Sequence, residues 1–77
     1  MDASYAEAGT EVVICFHRPS VTRQDYCSRR TTIIQVADDG DACRVAADTG
    51  YYWWAVSNMI LASDIDLLTP EQRARIR

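Results

Sequence analysis

Four of the seven aromatic residues in this 77-residue chain stand side by side as Tyr51-Tyr52-Trp53-Trp54, directly behind a turn signal, Asp48-Thr49-Gly50. Read as a strand, the run splits by alternation. Tyr51 and Trp53 face one way, and Tyr52 and Trp54 the other. A chain this short buries a limited core, and one such pair is enough for it. The other pair is left as a candidate contact surface, because tyrosine and tryptophan concentrate at interface hot spots.

The segments around the run read as short strands joined by tight turns. Glu11 to His17 (EVVICFH) is β-branched and aromatic, and Arg18-Pro19-Ser20 ends it, since proline cannot donate to a ladder. Val21 to Arg30 is polar, without strand or helix period. A connection of that length in a small domain is often functional. Thr31 to Ala37 reads as a second strand and Ala42 to Ala47 as its return, with Cys43, Val45 and Ala47 on one face. Between them Asp38-Asp39-Gly40-Asp41 carries the Asp-Gly hairpin signal. Tyr51 to Ser57 is the next strand, making a three-strand meander. Ser57 to Leu68 reads as a turn through Asn58-Met59-Ile60 and then a short closing strand. Thr69-Pro70-Glu71-Gln72 predicts a helix over about 70–76, with Thr69 as cap, Pro70 at the first helical position and Gln72 completing a capping box.

Charge is unevenly placed. Residues 1–34 carry four acids and four arginines. Residues 35–68 carry Asp38, Asp39, Asp41, Asp48, Asp64 and Asp66 against Arg44 alone. Residues 69–77 carry Glu71 against Arg73, Arg75 and Arg77, which gives the overall −3. The aromatic half is therefore the acidic half. Such a surface tracks a phosphate backbone poorly and suits a partner protein with a basic surface. Arg29 and Arg30, with Tyr26 between the loop arginines, resemble the basic–aromatic interleaving of single-strand binders, but Asp25 interrupts the patch. Tyr26 is also the only obvious extra aromatic for a cage around a cationic ligand.

No catalytic signature appears. His17 is the single histidine, and nothing around Phe16-His17-Arg18 supplies a nucleophile and an orienting third group. The glycines are isolated, so none forms a phosphate cradle. Cys15, His17, Cys27 and Cys43 could compose a Cys₃His zinc set, but the short-spaced ligand pairs of structural zinc sites are missing. Asp38 to Gly50 lacks the terminal glutamate of a calcium loop. We therefore expect no metal and no cofactor. Three cysteines without a CxxC pair, and an N-terminus without a basic or long apolar region, lead us to expect reduced thiols, a cytoplasmic location (the host cytoplasm if phage-encoded) and no membrane association.

The first strand EVVICF, the DDGD hairpin, the paired tryptophans and Ser57-Asn58-Met59-Ile60 before the last strand resemble the SH3-like and Tudor-like small barrels over roughly Gly9 to Leu68. That resemblance implies an all-β or mostly β fold of four to five antiparallel strands closing a barrel at about 9–68, with a short C-terminal helix. We expect one domain spanning residues 1–77. In size, acidity and lack of catalytic motifs the chain also resembles, by type, the small acidic inhibitor proteins of phages, anti-CRISPR proteins among them. The expectation is a non-enzymatic protein-binding module that occludes a host defence protein. Its contact set is Tyr51, Tyr52, Trp53 and Trp54 with Asp38, Asp39 and Asp41, and secondarily Arg29, Arg30 and Tyr26. The alternative is an SH3-like nucleic-acid-binding or regulatory module working through the loop arginines and aromatics. A homodimer is a further way for so small a chain to bury surface.

Overall fold

The computed structural model describes residues 1–14 and 29–76. The expected strand end Cys15-Phe16-His17, most of the polar segment that follows, Cys27 and Tyr26 lie outside the described residues.

Five antiparallel strands form one open sheet in the order β4-β3-β2-β1-β5. They are β1 Glu11–Ile14, β2 Arg29–Val36, β3 Ala42–Val45, β4 Trp54–Ala55 and β5 Met59–Leu61, with a helix α1 at Pro70–Ala74. Arg29 and Arg30, read from sequence as loop, are ladder residues opposite Ile14 and Val13. The interior strand β1 is flanked by β2 and β5 and is buried on both faces: Val12, Val13 and Ile14 are all enclosed. This explains why its sequence is a continuous apolar run rather than an alternation. Val12 and Ile14 join the core of Ile33, Cys43, Val45, Trp54, Val56 and Met59. Val13 points the other way, and the 3₁₀ stretch Ala62–Leu67 packs along β1.

Strand β2 serves two ladders. Arg29–Thr32 pair with β1, and Ile33–Val36 pair with β3, with a bulge between Ile33 and Gln35. A bulge bends its strand and breaks alternation. Thr31 and Ile33 point inward, and then both Ile34 and Gln35 are exposed.

The sheet cannot be flat. Its edge strands β4 and β5 would lie about 19 Å apart across four strand spacings. Yet Ala55 and Met59 are joined only by the 3₁₀ turn Val56–Asn58, and four residue steps reach about 14 Å at full extension. The sheet therefore coils until its two edges meet across that turn. No ladder links β4 to β5 among the described residues. The expected barrel is thus an open sheet, because the chain passes from β4 into β5 through a helical turn before the two can pair.

Two turn expectations hold in detail. In the β2–β3 hairpin, Ala37 donates to the Ala42 carbonyl (2.9 Å) and Gly40 to the Ala37 carbonyl (2.9 Å). Gly40 takes a positive φ of 75° that favours glycine. At α1 the Thr69 hydroxyl accepts from Gln72 N (3.2 Å), and Gln72 Oε1 accepts from Thr69 N (3.0 Å), completing the capping box. The expected helix to 76 ends at Ala74. Among the described residues no helix is long and apolar enough to cross a membrane.

Candidate functional site

The aromatic run is not the seven-residue strand that its composition suggests. Only Trp54–Ala55 joins the ladder, with Cys43 opposite Trp54 and Ala42 opposite Ala55. The cause is Asp48, whose carboxylate gathers the backbone N–H groups that a strand would offer to its neighbour. It accepts from Gly50 N (3.0 Å), Tyr51 N and Tyr52 N (both 3.2 Å), and from the indole Nε1 of Trp54 (2.8 Å). Asp48 is only 4% exposed. A buried carboxylate is tolerated only when its lone pairs are filled, and charge-assisted bonds of this kind are the strong ones. The preceding residues form a 3₁₀ turn, Ala46–Asp48, held by Ala47 N donating to the buried Thr31 hydroxyl (2.9 Å).

This turn decides which aromatic pair goes inside. Trp54 is completely enclosed, with its one polar atom satisfied by Asp48. Burial of a side chain that size contributes roughly 5 kcal/mol of gross transfer free energy. Tyr52 packs against the core with its ring edge-to-face on Trp54, centroids 6.1 Å apart. Tyr51 and Trp53 point outward, 76% and 39% exposed. Of the four aromatics named from sequence, Tyr52 and Trp54 thus form the core pair. Tyr51 and Trp53 are the exposed pair.

Trp53 does not stand alone. The Arg44 guanidinium lies over its ring, 4.3 Å from the centroid, a cation–π contact. Arg44 Nη1 also donates to Gln35 Oε1 (3.2 Å), while its Nε is shielded from solvent without a hydrogen-bond partner. Ile34, turned out by alternation after inward Ile33 and 47% exposed, borders the same face. A Cβ added to Gly50 would fall 2.9 Å from Ile34 Cδ1, and Gly50 has a φ of +76°. The positive φ is what calls for glycine there, since the exposed Ile34 methyl could swing aside. Ile34, Arg44 and Trp53 make one outer patch on the β2–β3–β4 side of the sheet.

The hairpin acids sit at the end of that patch. Asp38, Asp39 and Asp41 are exposed, and Asp39 Oδ1 accepts from Asp41 N (2.9 Å) within the turn. Val56 N donates to the Asp41 carbonyl (2.9 Å), fixing the hairpin beside the β4–β5 turn. Along β3 the step from Asp41 to Arg44 is about 10 Å. A shallow groove of about 430 Å³ opens next to it, lined by Met1, Ala3, Asp41, Ala55, Val56 and Ser57. Arg29 and Arg30 lie apart from this patch, on the half of β2 that pairs with β1. Arg30 makes a solvent-exposed 3.8 Å ion pair with Glu11, of the kind that contributes little. Cys43 belongs to the core, and burial pushes its thiol pKa up, disfavouring the thiolate.

Arg44, Ile34 and Asp48 were not singled out from sequence. Asp48 had a signal: an aspartate two residues before glycine is the pattern of a side chain that bonds its own following backbone. Arg44 was visible as the one base among the acids, but its stacking on Trp53 depends on the β3–β4 register. Comparison of the chain with protein-family models, curated protein sequences and solved structures gives no match.

Proposed function

We propose that this chain is a non-enzymatic protein-binding module that acts by covering part of another protein. The observation that carries the reading is the outward Tyr51–Trp53 pair, held by the Asp48 turn at the end of β3 opposite the Asp38-Asp39-Gly40-Asp41 hairpin. A monomer of this size has little reason to fix a tryptophan at its surface, and aromatic anchors are the usual centre of an interface. The hairpin carboxylates favour a partner with arginines or lysines at the rim, where charge sets on-rate and orientation. Strand order and the 3₁₀ turn before β5 support reading the strand arrangement as SH3-like, with the sheet left open. That fold hosts many functions and does not select one. Small size and acidity favour the more specific form, a phage- or mobile-element-encoded inhibitor of a host defence protein.

The test is affinity purification with the wild-type chain and with Trp53→Ala. The expected outcome is a protein retained by the wild type and lost by the variant, with the near-ultraviolet circular dichroism of buried Trp54 preserved. Oligonucleotide binding at physiological salt, weakening steeply as salt rises, would overturn the reading in favour of a nucleic-acid module.

A further inference from the structure

The outer face of β3 and β4 carries a charge pattern that is its own complement. At one end are the hairpin acids Asp38, Asp39 and Asp41. About 10 Å along β3 is Arg44, the only base between residues 31 and 72. Its guanidinium is held in place by the Trp53 ring on one side and Gln35 on the other. Between the two poles lie Ala42 and Ala55, paired across the ladder and small enough to let another backbone approach. Exposed Ile34 and Trp53 flank the positive pole.

We propose that this face binds a second copy of the chain in an isologous two-fold dimer. In a two-fold interface residue i of one copy meets residue j of the other, and j meets i. With the axis at Ala42 and Ala55, Arg44 of each copy lies over the acidic hairpin of the other. The two Trp53 and Ile34 side chains supply the apolar area. A standard interface takes about 800 Å² from each partner, and the whole chain exposes 5074 Å², so the face is a modest share of the surface. The net charge of −3 on each copy opposes association, and the dimer is therefore weak and sensitive to charge changes. The proposal does not depend on the target suggested above, because it is read from the chain alone.

The experiment is sedimentation equilibrium of the full chain at physiological salt, up to about 1 mM, the weak end of specific association. The expected mass rises with concentration from 8.7 kDa to twice that value. Arg44→Asp alone and Asp38→Arg alone each raise the dissociation constant by about tenfold or more. An equimolar mixture of the two variants restores the dimer, since each now carries the charge that the other lacks. A single-chain mass throughout would overturn the proposal. So would a wild-type dimer indifferent to Arg44→Asp, or a mixture that stays monomeric. Asp38 is on an exposed turn, and Trp54 circular dichroism confirms that each variant is folded.

Discussion

Two acidic turns punctuate the β2–β3–β4 meander, and they use their aspartates in opposite ways. In the β2–β3 hairpin, Asp38, Asp39 and Asp41 are exposed, and the turn is held by backbone hydrogen bonds and by Gly40 at positive φ. One side-chain bond, from Asp41 N to Asp39 Oδ1, adds to it. After β3, Asp48 is buried and spends its carboxylate on three backbone N–H groups and an indole. The first turn leaves its charge to solvent. The second consumes its charge to aim four aromatic side chains. Residue type does not distinguish them; the number of donors converging on the carboxylate does.

The comparison breaks most directly at Asp48. Asp48→Ala takes the carboxylate acceptor from the Tyr52 N–H and the Trp54 indole N–H, whereas Gly50 N and Tyr51 N keep the Val45 and Asp48 carbonyls at 3.0 and 3.2 Å. Taking its charged acceptor from a shielded donor costs about 1–3 kcal/mol for each of the two, so the expected loss is about 3–5 kcal/mol in urea or thermal unfolding. For a chain of this length that approaches the whole stability. A loss below about 1 kcal/mol would mean that the carboxylate does not organise the turn. Trp54→Phe sharpens the point by removing a single donor while keeping most of the apolar area. It is expected to cost about 2–3 kcal/mol in the same measurement. Asp39→Ala, in the contrasting turn, is expected to shift stability by less than about 0.5 kcal/mol, as surface substitutions usually do. A cost as large as that of Trp54→Phe would erase the distinction between the turns.

Much of the fold was legible because it rests on local rules. The Asp-Gly hairpin and the Thr69–Gln72 capping box depend on residues a few positions apart, and both are found; between Ser57 and Leu68 a turn does lead into a closing strand, but the strand is Met59–Leu61, where the turn was expected, and Ala62–Leu67 is a 3₁₀ stretch. Alternation in Tyr51-Tyr52-Trp53-Trp54 correctly separated two pairs, but it could not say which pair turns inward. That choice is made by the Asp48–Trp54 bond, which bridges six positions through a specific turn geometry. The same bond network shortened β4, since the Tyr52 N–H is drawn to the carboxylate and the Tyr51 N–H to the carboxylate and carbonyl of Asp48. Barrel closure was over-read for a related reason: five strands and tight turns permit it, whereas a two-residue β4 leading straight into a helical turn leaves the edges unpaired. The Ile34–Arg44–Trp53 patch was hidden because it depends on the β2–β3 and β3–β4 registers, which have no composition signature.

The placement of β1 has a consequence for how the chain reaches this state. Its second neighbour, β5, pairs Ile60 with Val13, so one of its two ladders spans most of the sequence. The β2–β3–β4 meander closes through short loops, whereas β1 must wait for a distant partner, and long-range pairing of this kind is slow. Until β5 arrives, Val12-Val13-Ile14 presents an apolar strand with an open hydrogen-bonding edge, the template on which unrelated chains add strands. The most buried segment of the folded protein is thus the most hazardous one during folding. Any change that delays β5 will show as aggregation before it shows as lost stability.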